Sequence, residues 1–204
     1  MLDVKALLIG ELGNNCYLIT DRASGKSALV DCTDASQRML DFIGNADLEY
    51  ILLTHGHFDH IEGVRDIKAR YGAKVCISKE DEPMLSSARL SLAVFCGFQQ
   101  NDTSADIILG EGDSLMLGET EIKVISTPGH TKGGLCFIAD DCIFTGDTLF
   151  FCSCGRTDFP GGDEQEMLQS LHRLSQLDEK LRVFPGHDRV STIAYEKQNN
   201  PYMR

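Results

Sequence analysis

Residues 53–63 read LTHGHFDHIEG. It places three of the chain's six histidines and one aspartate within six consecutive positions, directly after the apolar run YILL at residues 50–53. The four side chains are His55, His57, Asp59 and His60. The apolar run predicts a buried strand, so the histidines stand at a strand end. Because His55 and His57 are two positions apart, they cannot share a helix face and are expected on a loop. Asp59 and His60 then begin a helix, so this one segment can supply ligands to two neighbouring metal ions.

The same arrangement recurs at three later strand ends. The segments VISTPG, IFTG and VFPG, at residues 124–129, 143–146 and 183–186, each pass from an apolar run into a tight turn. The next side chains are His130, Asp147 and His187. In α/β sheets, ligand sites gather beyond the carboxyl ends of strands, so we predict that these three side chains meet His55. Nitrogen and carboxylate ligands without a thiolate suit zinc, iron or manganese. The sixth histidine, His172, lies inside a predicted helix and is not expected to bind metal.

The composition narrows the possible partners. The 204 residues carry a net charge of −12 without any block of lysine or arginine, which argues against nucleic acid and anionic membranes. No segment approaches the ~20 apolar residues of a membrane span. The early apolar run at residues 6–9 is too short for the core of a signal peptide. We therefore expect a cytoplasmic protein whose partner is a small molecule, and the sequence leaves the oligomeric state open.

The eight cysteines are expected to be reduced, because most lie within apolar runs and no signal peptide is predicted. Only Cys152 and Cys154 stand close enough together to suggest a ligand pair. A Cys-x-Cys pair alone is weak evidence for metal, so a structural or substrate-lining role is favoured for these two.

The pattern of elements predicts an α/β fold. Short β-like runs with interspersed helices fill both halves of the chain, which indicates a layered sandwich of two sheets flanked by helices, with one domain over residues 1–204. Helices are predicted at residues 37–43, 61–71, 80–95 and 163–177. In the last, Asp163 and Glu166 fit a capping box. Its predicted apolar stripe is Leu168, Leu171, Leu174 and Leu177.

Taken together, four motifs carry a resemblance to a known family. They are THGHFDH at residues 54–60, TPGHT at 127–131, FTGDTLF at 144–150 and FPGH at 184–187. In this order the motifs resemble the metallo-β-lactamase fold superfamily, and within it the short glyoxalase II-like (hydroxyacylglutathione hydrolase-like) branch. The resemblance extends from NNCYLI at residues 14–19 to NNPYM at 199–203. It implies a four-layer αββα sandwich, with two mixed sheets flanked by helices and a binuclear metal centre at one edge between the sheets.

The resemblance also implies which side chain holds which ion. His55, His57 and His130 would hold one metal, and Asp59, His60 and His187 the other, with Asp147 bridging the two. The cofactors would be two divalent ions, zinc in the first place, with iron or manganese as alternatives. The family's best-known β-lactamases carry Cys where this chain has Asp147, and its flavodiiron oxidoreductases carry Glu at the position of His57. Both differences favour a binuclear hydrolase.

This centre implies hydrolysis by a metal-activated water, with Asp59 as a ligand that also orients the nucleophile. A thiolate with a pKa near ~8.5 leaves without a general acid, so a small-molecule thioester, such as an S-hydroxyacyl thiol, is the favoured substrate. Arg156, in the segment CGRTDFPGGD at 154–163, stands where glyoxalase II enzymes carry a basic substrate-binding residue. Three departures count against glutathione as the thiol carrier: the expected lack of a C-terminal helical domain, Asp158 in place of an aromatic residue, and Asp188-Arg189 in place of Glu-Tyr.

Three other functions remain open at this point. A persulfide dioxygenase would use one iron held by His55, His130 and Asp147, and its family also carries a GRTDF segment. A lactonase or other ester hydrolase would use the same ligands as the thioester hydrolase. A metal-stabilised binding module without catalysis is the third alternative.

Overall fold

The computed structural model describes residues 2–203 and contains two six-stranded mixed sheets. In the first sheet the strands lie side by side in chain order, antiparallel from β1 to β3 and parallel from β3 to β6. Its strands are β1 (Leu2–Ile9), β2 (Asn14–Asp21), β3 (Lys26–Val30), β4 (Asp47–Leu52), β5 (Lys74–Ser78) and β6 (Ile107–Leu109). The parallel strands run without polar alternation because helices cover the outer face.

The second sheet is built from the later part of the chain, and its strands are β7 (Ser114–Leu117), β8 (Thr120–Ser126), β9 (Leu135–Ala139), β10 (Cys142–Gly146), β13 (Arg182–Pro185) and β14 (Ser191–Thr192). Neighbouring strands follow the order β14-β13-β10-β9-β8-β7, and only β10 and β13 are parallel. A short hairpin of β11 (Leu149–Phe150) and β12 (Ser153–Cys154) lies between β10 and β13 in the chain.

The helices complete four layers. They are α1 (Gln37–Ile43), α2 (Phe58–Ile61), α3 (Val64–Tyr71), α4 (Ala93–Cys96), α5 (Glu164–Ser175) and α6 (Ile193–Asn199), with 3-10 turns at Glu82–Ser86 and Pro201–Met203. Buried residues of α1 and α3 pack on the first sheet, and those of α5 and α6 pack on the second. The predicted αββα sandwich is therefore confirmed. No helix within residues 2–203 has the length and apolar character needed to cross a bilayer.

A core between the sheets joins the two halves. Tyr17 and Ile19 of β2 point into it, while the alternate residues Cys16 and Leu18 face the helices, because successive side chains of a strand point to opposite faces. The Tyr17 ring lies 5.4 Å from the Phe144 ring of the second sheet, centroid to centroid. This apolar layer fixes how the sheet edges meet, and so where the strand-end turns lie.

The helix predicted at residues 80–95 is wrong. That segment forms the 3-10 turn Glu82–Ser86 and the four-residue helix α4, joined by an irregular stretch. Pro83 limits the first turn, and Leu92 adopts a left-handed backbone conformation with φ of 70°, which ends any helix through it.

The helix predicted at 61–71 is divided. Its first residue, Ile61, is the last residue of α2, and Glu62 and Gly63 separate α2 from α3. A side chain at Gly63 would collide with the backbone of Asp34, which explains the glycine at this close approach.

The helix predicted at 163–177 is confirmed as α5, with the Asp163 side chain accepting a hydrogen bond from the Glu166 amide. Its apolar stripe differs at one place, because Leu168 is exposed and Met167 is buried instead. All eight cysteines are free thiols, as predicted.

Candidate metal centre

The strand-end side chains meet at one edge of the sandwich. His55 and His57 lie on the loop after β4, and Asp59 and His60 lie in the single turn of α2. The second sheet supplies the other three from the turns after β8, β10 and β13: His130, Asp147 and His187. The structure thus brings together every residue that the sequence predicted for the metal site. His172 is exposed on α5 and is not part of this cluster.

The cluster contains three overlapping groups of residues. In each group every residue offers one possible ligand atom, and these atoms lie within 4.8 Å of one another. The groups are His55, His57 and His130; His55, His60 and Asp147; and Asp59, His60 and His187. His55, His57, His60 and His130 are buried. The side chains of Asp59, Asp147 and His187 are 12%, 11% and 22% exposed. The partly exposed members therefore form the side of the cluster that a small molecule can reach.

The carboxylate of Asp147 stands between the two ends of the cluster. Its Oδ2 atom lies 3.5 Å from Nε2 of His130 and 3.7 Å from Nε2 of His187. Its Oδ1 atom lies 3.4 Å from Nε2 of His60. These distances are longer than hydrogen bonds, and they are those expected between atoms that share an ion rather than a proton.

Unpaired buried atoms test whether the residues fit a metal. The Nε2 atom of His55 and the Oδ1 atom of Asp147 are buried and make no hydrogen bond. Leaving such groups unpaired is costly unless something satisfies them. Burial, followed by the charge of neighbouring histidines, moves the pKa of His55 well below its usual value, and burial lowers the pKa of His57 to about 3. Both rings are thus neutral, which is the form that binds a metal.

His60 behaves differently because acids surround it. Burial opposes its positive charge, but the carboxylates of Asp31, Asp59 and Asp147 outweigh that effect and raise its pKa to about 10. The same surroundings favour any cation at this position. The donor set, in which the neutral imidazoles of His55 and His57 stand beside clustered carboxylates, therefore fits divalent ions.

Two histidines are oriented through their outer nitrogens. Nδ1 of His60 lies 2.8 Å from Oδ2 of Asp31, and Nδ1 of His130 donates to the main-chain carbonyl oxygen of Arg156 at 2.7 Å. Asp31 also accepts hydrogen bonds from the amide and hydroxyl of Thr54, next to His55. Such partners fix the ring orientation and leave Nε2 free to bind an ion.

Asp81 ties together the loops that carry the ligands. Its buried carboxylate accepts hydrogen bonds from the Gly56 amide, the Thr131 hydroxyl and the Gly133 amide, at 3.1, 2.7 and 3.0 Å. Burial raises its pKa, while these donors act in the opposite direction. Gly56 lies between His55 and His57, and Thr131 follows His130. These hydrogen bonds to Asp81 therefore fix the positions of the two loops relative to each other.

Asn14, at the start of β2, closes the other side of the centre. It is fully buried, and its Nδ2 atom lies 2.9 Å from Oδ2 of Asp59 and 3.3 Å from Nε2 of His60 and of His187. Its backbone forms an isolated antiparallel bridge with His187. Asn14 therefore positions Asp59 while linking the first sheet to a ligand of the second.

Gly186 provides the space that the cluster needs. A Cβ atom there would collide with Oδ1 of Asp147 and lie 2.9 Å from Cε1 of His60. A residue with a side chain in this turn would displace the two ligands.

A cavity of about 640 Å³ opens over the cluster. Besides the ligands, its wall contains Leu12, Phe58, Leu92, Phe95, Cys96, Phe150, Arg156, Phe159 and Pro160. The Arg156 guanidinium is paired with the Asp158 carboxylate at 2.6 Å and lies 3.9 Å from the centre of the Phe159 ring. Cys152 and Cys154 are half-buried and do not belong to any group of possible ligands among residues 2–203.

Comparison with known proteins agrees with this geometry. Residues 9–187 match the family model of the metallo-beta-lactamase superfamily. The chain belongs to the metallo-beta-lactamase superfamily. Among its relatives in the superfamily, the uncharacterized protein ML0493 of Mycobacterium leprae is 36% identical over 208 residues, covering 95% of each protein. The hydroxyacylglutathione hydrolase GloC of Haemophilus influenzae is 30% identical over 209 residues, covering 99% of this chain and 98% of the relative.

Solved structures of this superfamily superpose over nearly the whole chain. The B3 metallo-beta-lactamase BLEG-1 has a TM-score of 0.93 at 28% identity, covering 100% of this chain and 99% of that one. TTHA1623 in a di-iron-bound form has a TM-score of 0.87 at 30% identity, covering 98% and 100%. ETHE1 from Myxococcus xanthus has a TM-score of 0.81 at 30% identity, covering 98% and 83%.

Three residues around this metallo-beta-lactamase-type centre escaped the sequence reasoning: Asn14, Asp31 and Asp81. Asp31 directly follows β3, so the rule that found the ligands at strand ends could have found it as well. Asn14 begins a strand and Asp81 follows a short turn after β5, and neither position carries a signal in one sequence alone.

Proposed function

We propose that this member of the superfamily is a binuclear metal-dependent hydrolase that cleaves a thioester. The observation that carries the proposal is the position of the Asp147 carboxylate, within 4 Å of ligand nitrogens from both ends of the cluster. One carboxylate in contact with both ligand sets is what a two-ion site requires. The likeness to a hydroxyacylglutathione hydrolase supports the choice of a thioester among carbonyl substrates.

In this proposal His55, His57 and His130 would hold one ion, Asp59, His60 and His187 would hold the other, and Asp147 would serve both. Zinc is the first choice, with iron or manganese as alternatives, and the di-iron form of TTHA1623 supports iron as the strongest of these alternatives. Two divalent ions bound here would supply an acidified water and an electrophile for the carbonyl oxygen.

The chain's own groups position the reactants. Asp59 is held by the Asn14 amide at 2.9 Å and is partly exposed to the cavity, so we assign it the orientation of the attacking water. Water adds its oxygen to the thioester carbonyl carbon, the C–S bond breaks, and a carboxylate, a thiol and one proton result. The leaving thiol has a pKa of about 8.5, so the thiolate departs without a dedicated acid from the protein. Arg156 lines the cavity, and its contact with substrate remains a prediction.

The alternative is a persulfide dioxygenase with one iron held by His55, His130 and Asp147. The likeness to ETHE1 supports it, and Asp59, His60 and His187, a second complete ligand set, count against it. A lactonase would share the proposed centre and differ only in the leaving group.

The single domain over residues 1–204, the cytoplasmic location and the absence of nucleic-acid or membrane partners also remain predictions.

Elemental analysis of the purified protein combined with a thioester panel tests the proposal. We expect about two metal ions per chain and thioester cleavage without oxygen uptake. One iron per chain with oxygen consumed on a persulfide would establish the alternative instead. Lactone cleavage without thioester cleavage would indicate the lactonase, and full metal content without any turnover would leave a binding module.

A further inference from the structure

The wall of the cavity above the metal centre is apolar, and this character extends to its mouth. Leu12 and Phe95 line the cavity while 58% and 68% of each residue is exposed. Phe159 and Phe150 are partly exposed to the same space, and Leu92 lies buried behind it. Large apolar side chains gathered at the entrance of a cavity indicate a binding surface for an apolar group.

The charges in the wall do not suit an anionic ligand. Arg156 is the one lysine or arginine among the lining residues that the structure describes, and Asp158 already occupies it through two hydrogen bonds, from Nε and a terminal nitrogen, both at 2.6 Å. The face of the guanidinium lies on Phe159. An incoming carboxylate would have to compete with Asp158 for this bidentate pairing.

The adjoining surface is acidic. A smaller depression that shares Leu12, Phe58 and Asp59 with the cavity is also lined by Glu11, Asp34 and Glu62. A substrate with several carboxylates would meet repulsion there.

We propose that the preferred substrate is a thioester that carries an uncharged apolar group, which Leu12, Phe95 and Phe159 bind, and not the charged tripeptide of glutathione. The proposal rests on the thioester hydrolase function proposed above and adds the class of the substrate. The metal centre acts on the carbonyl group that both kinds of thioester share, so the apolar wall decides between them.

A substrate comparison tests this inference separately from the function. The metal-loaded protein is assayed with lactoylglutathione, with the lactoyl thioester of benzyl thiol, and with the phenylacetyl thioester of N-acetylcysteamine. We expect kcat/KM for at least one neutral thioester to exceed that for lactoylglutathione by about tenfold or more, the order that an apolar pocket contributes. A smaller ratio, or a preference for lactoylglutathione, would overturn the inference and leave the thioester hydrolase intact. If the protein cleaved none of the three, the function itself would fall, and the inference with it.

Two variants and one matched control test the wall. Leu12→Ser and Phe95→Ser are expected to lower kcat/KM for the better neutral thioester by about tenfold, mainly through KM, and to leave lactoylglutathione within about twofold. Leu8→Ser is the matched control, because Leu8 is also 58% exposed but does not line the cavity, and it is expected to leave both substrates unchanged. Equal losses on both substrates in the Leu12 and Phe95 variants would contradict an apolar subsite.

The ion pair can be tested by Asp158→Asn, which frees the Arg156 guanidinium at an exposed position. We expect kcat/KM for lactoylglutathione to rise by about threefold or more, while that for the neutral thioesters stays the same. An unchanged ratio between the two substrates would show that Asp158 does not exclude anions, and would overturn the part of the inference that concerns charge.

Discussion

The Oδ2 atom of Asp31 lies 2.8 Å from Nδ1 of His60, and both side chains are almost completely buried. Asp31 is not a member of the metal-ligand groups, yet it determines which nitrogen of His60 faces them. We expect Asp31→Asn to lower the metal content of the site formed by Asp59, His60 and His187 and to reduce kcat/KM by about 10- to 100-fold. Elemental analysis and steady-state kinetics measure the two effects. Asp3→Asn is a suitable control, since Asp3 pairs with Arg22 on the surface. Full metal content in Asp31→Asn would exclude this orienting role.

Removing the Asp147 carboxylate is expected to damage both proposed ion sites at once. Asp147→Ala should abolish hydrolysis and lower the metal content at both sites, because the carboxylate contacts ligand nitrogens at each end of the cluster. His187→Ala, in contrast, is expected to affect one ion only. Near-normal activity in Asp147→Ala would refute the bridging position, and so would loss of a single ion.

Asn14 gives a prediction about positioning. Asn14→Ala removes the Nδ2 atom that lies 2.9 Å from Asp59, so we expect a lower kcat with the three-histidine site still loaded. The loss should be about tenfold or more, since the hydrogen bond is to a charged group. Asn199→Ala, an exposed position on α6, provides the comparison. Unchanged kcat in Asn14→Ala would mean that Asp59 keeps its place without the amide.

The turn at Gly186 makes a steric prediction. Gly186→Ala places a methyl group against Oδ1 of Asp147, so metal content and activity should both fall even though no ligand is removed. Gly110→Ala is the matched control, because its Cβ would have its nearest neighbour, Oδ2 of Asp113, 3.9 Å away. Metal analysis of the two variants decides the matter. Equal metal content in both would show that the turn can adapt.

Asp81 gives a prediction about stability. Asp81→Ala leaves the amides of Gly56 and Gly133 and the Thr131 hydroxyl without their acceptor in a buried place. We expect the free energy of unfolding to fall by about 2–4 kcal/mol, which urea denaturation of the metal-free protein measures. Asp113→Ala, at an exposed turn, should change stability much less. A similar change in both variants would remove the structural role assigned to Asp81.

The sequence predicted the convergence of these side chains at one edge well, because strand ends constrain both backbone and side chain. An apolar run that ends in a tight turn with a histidine or aspartate has few conformations, so the residue pattern alone was enough to assign His55, His130, Asp147 and His187 to one edge.

The failures lie where local pattern and tertiary contacts disagree. The spacing of Leu85, Leu92 and Phe95 indicates a helix, but Leu92 takes a left-handed conformation and lies with Phe58 and Ala93 in a small apolar cluster. Burial of that cluster outweighs the local preference.

The residues that support the ligands were harder to find for a similar reason. Asp31 and Asp81 act through hydrogen bonds to segments 23 to 52 positions away in the chain, and such pairings leave no periodic trace. The ion pair of Arg156 with Asp158 joins residues two positions apart, so it could have been predicted from the sequence. The packing of the Arg156 guanidinium on Phe159 depends on the turn that brings the three residues together.

The backbone bridge between Asn14 and His187 has a consequence for how the chain folds. It joins positions 173 apart, and each proposed ligand set likewise combines residues of the 55–60 segment with a histidine of the second sheet. Contacts between such distant positions carry a large loop-closure entropy cost, so they are expected to form slowly. We therefore expect the metal pocket to form late in folding, and an ion bound there would couple the unfolding of the two sheets.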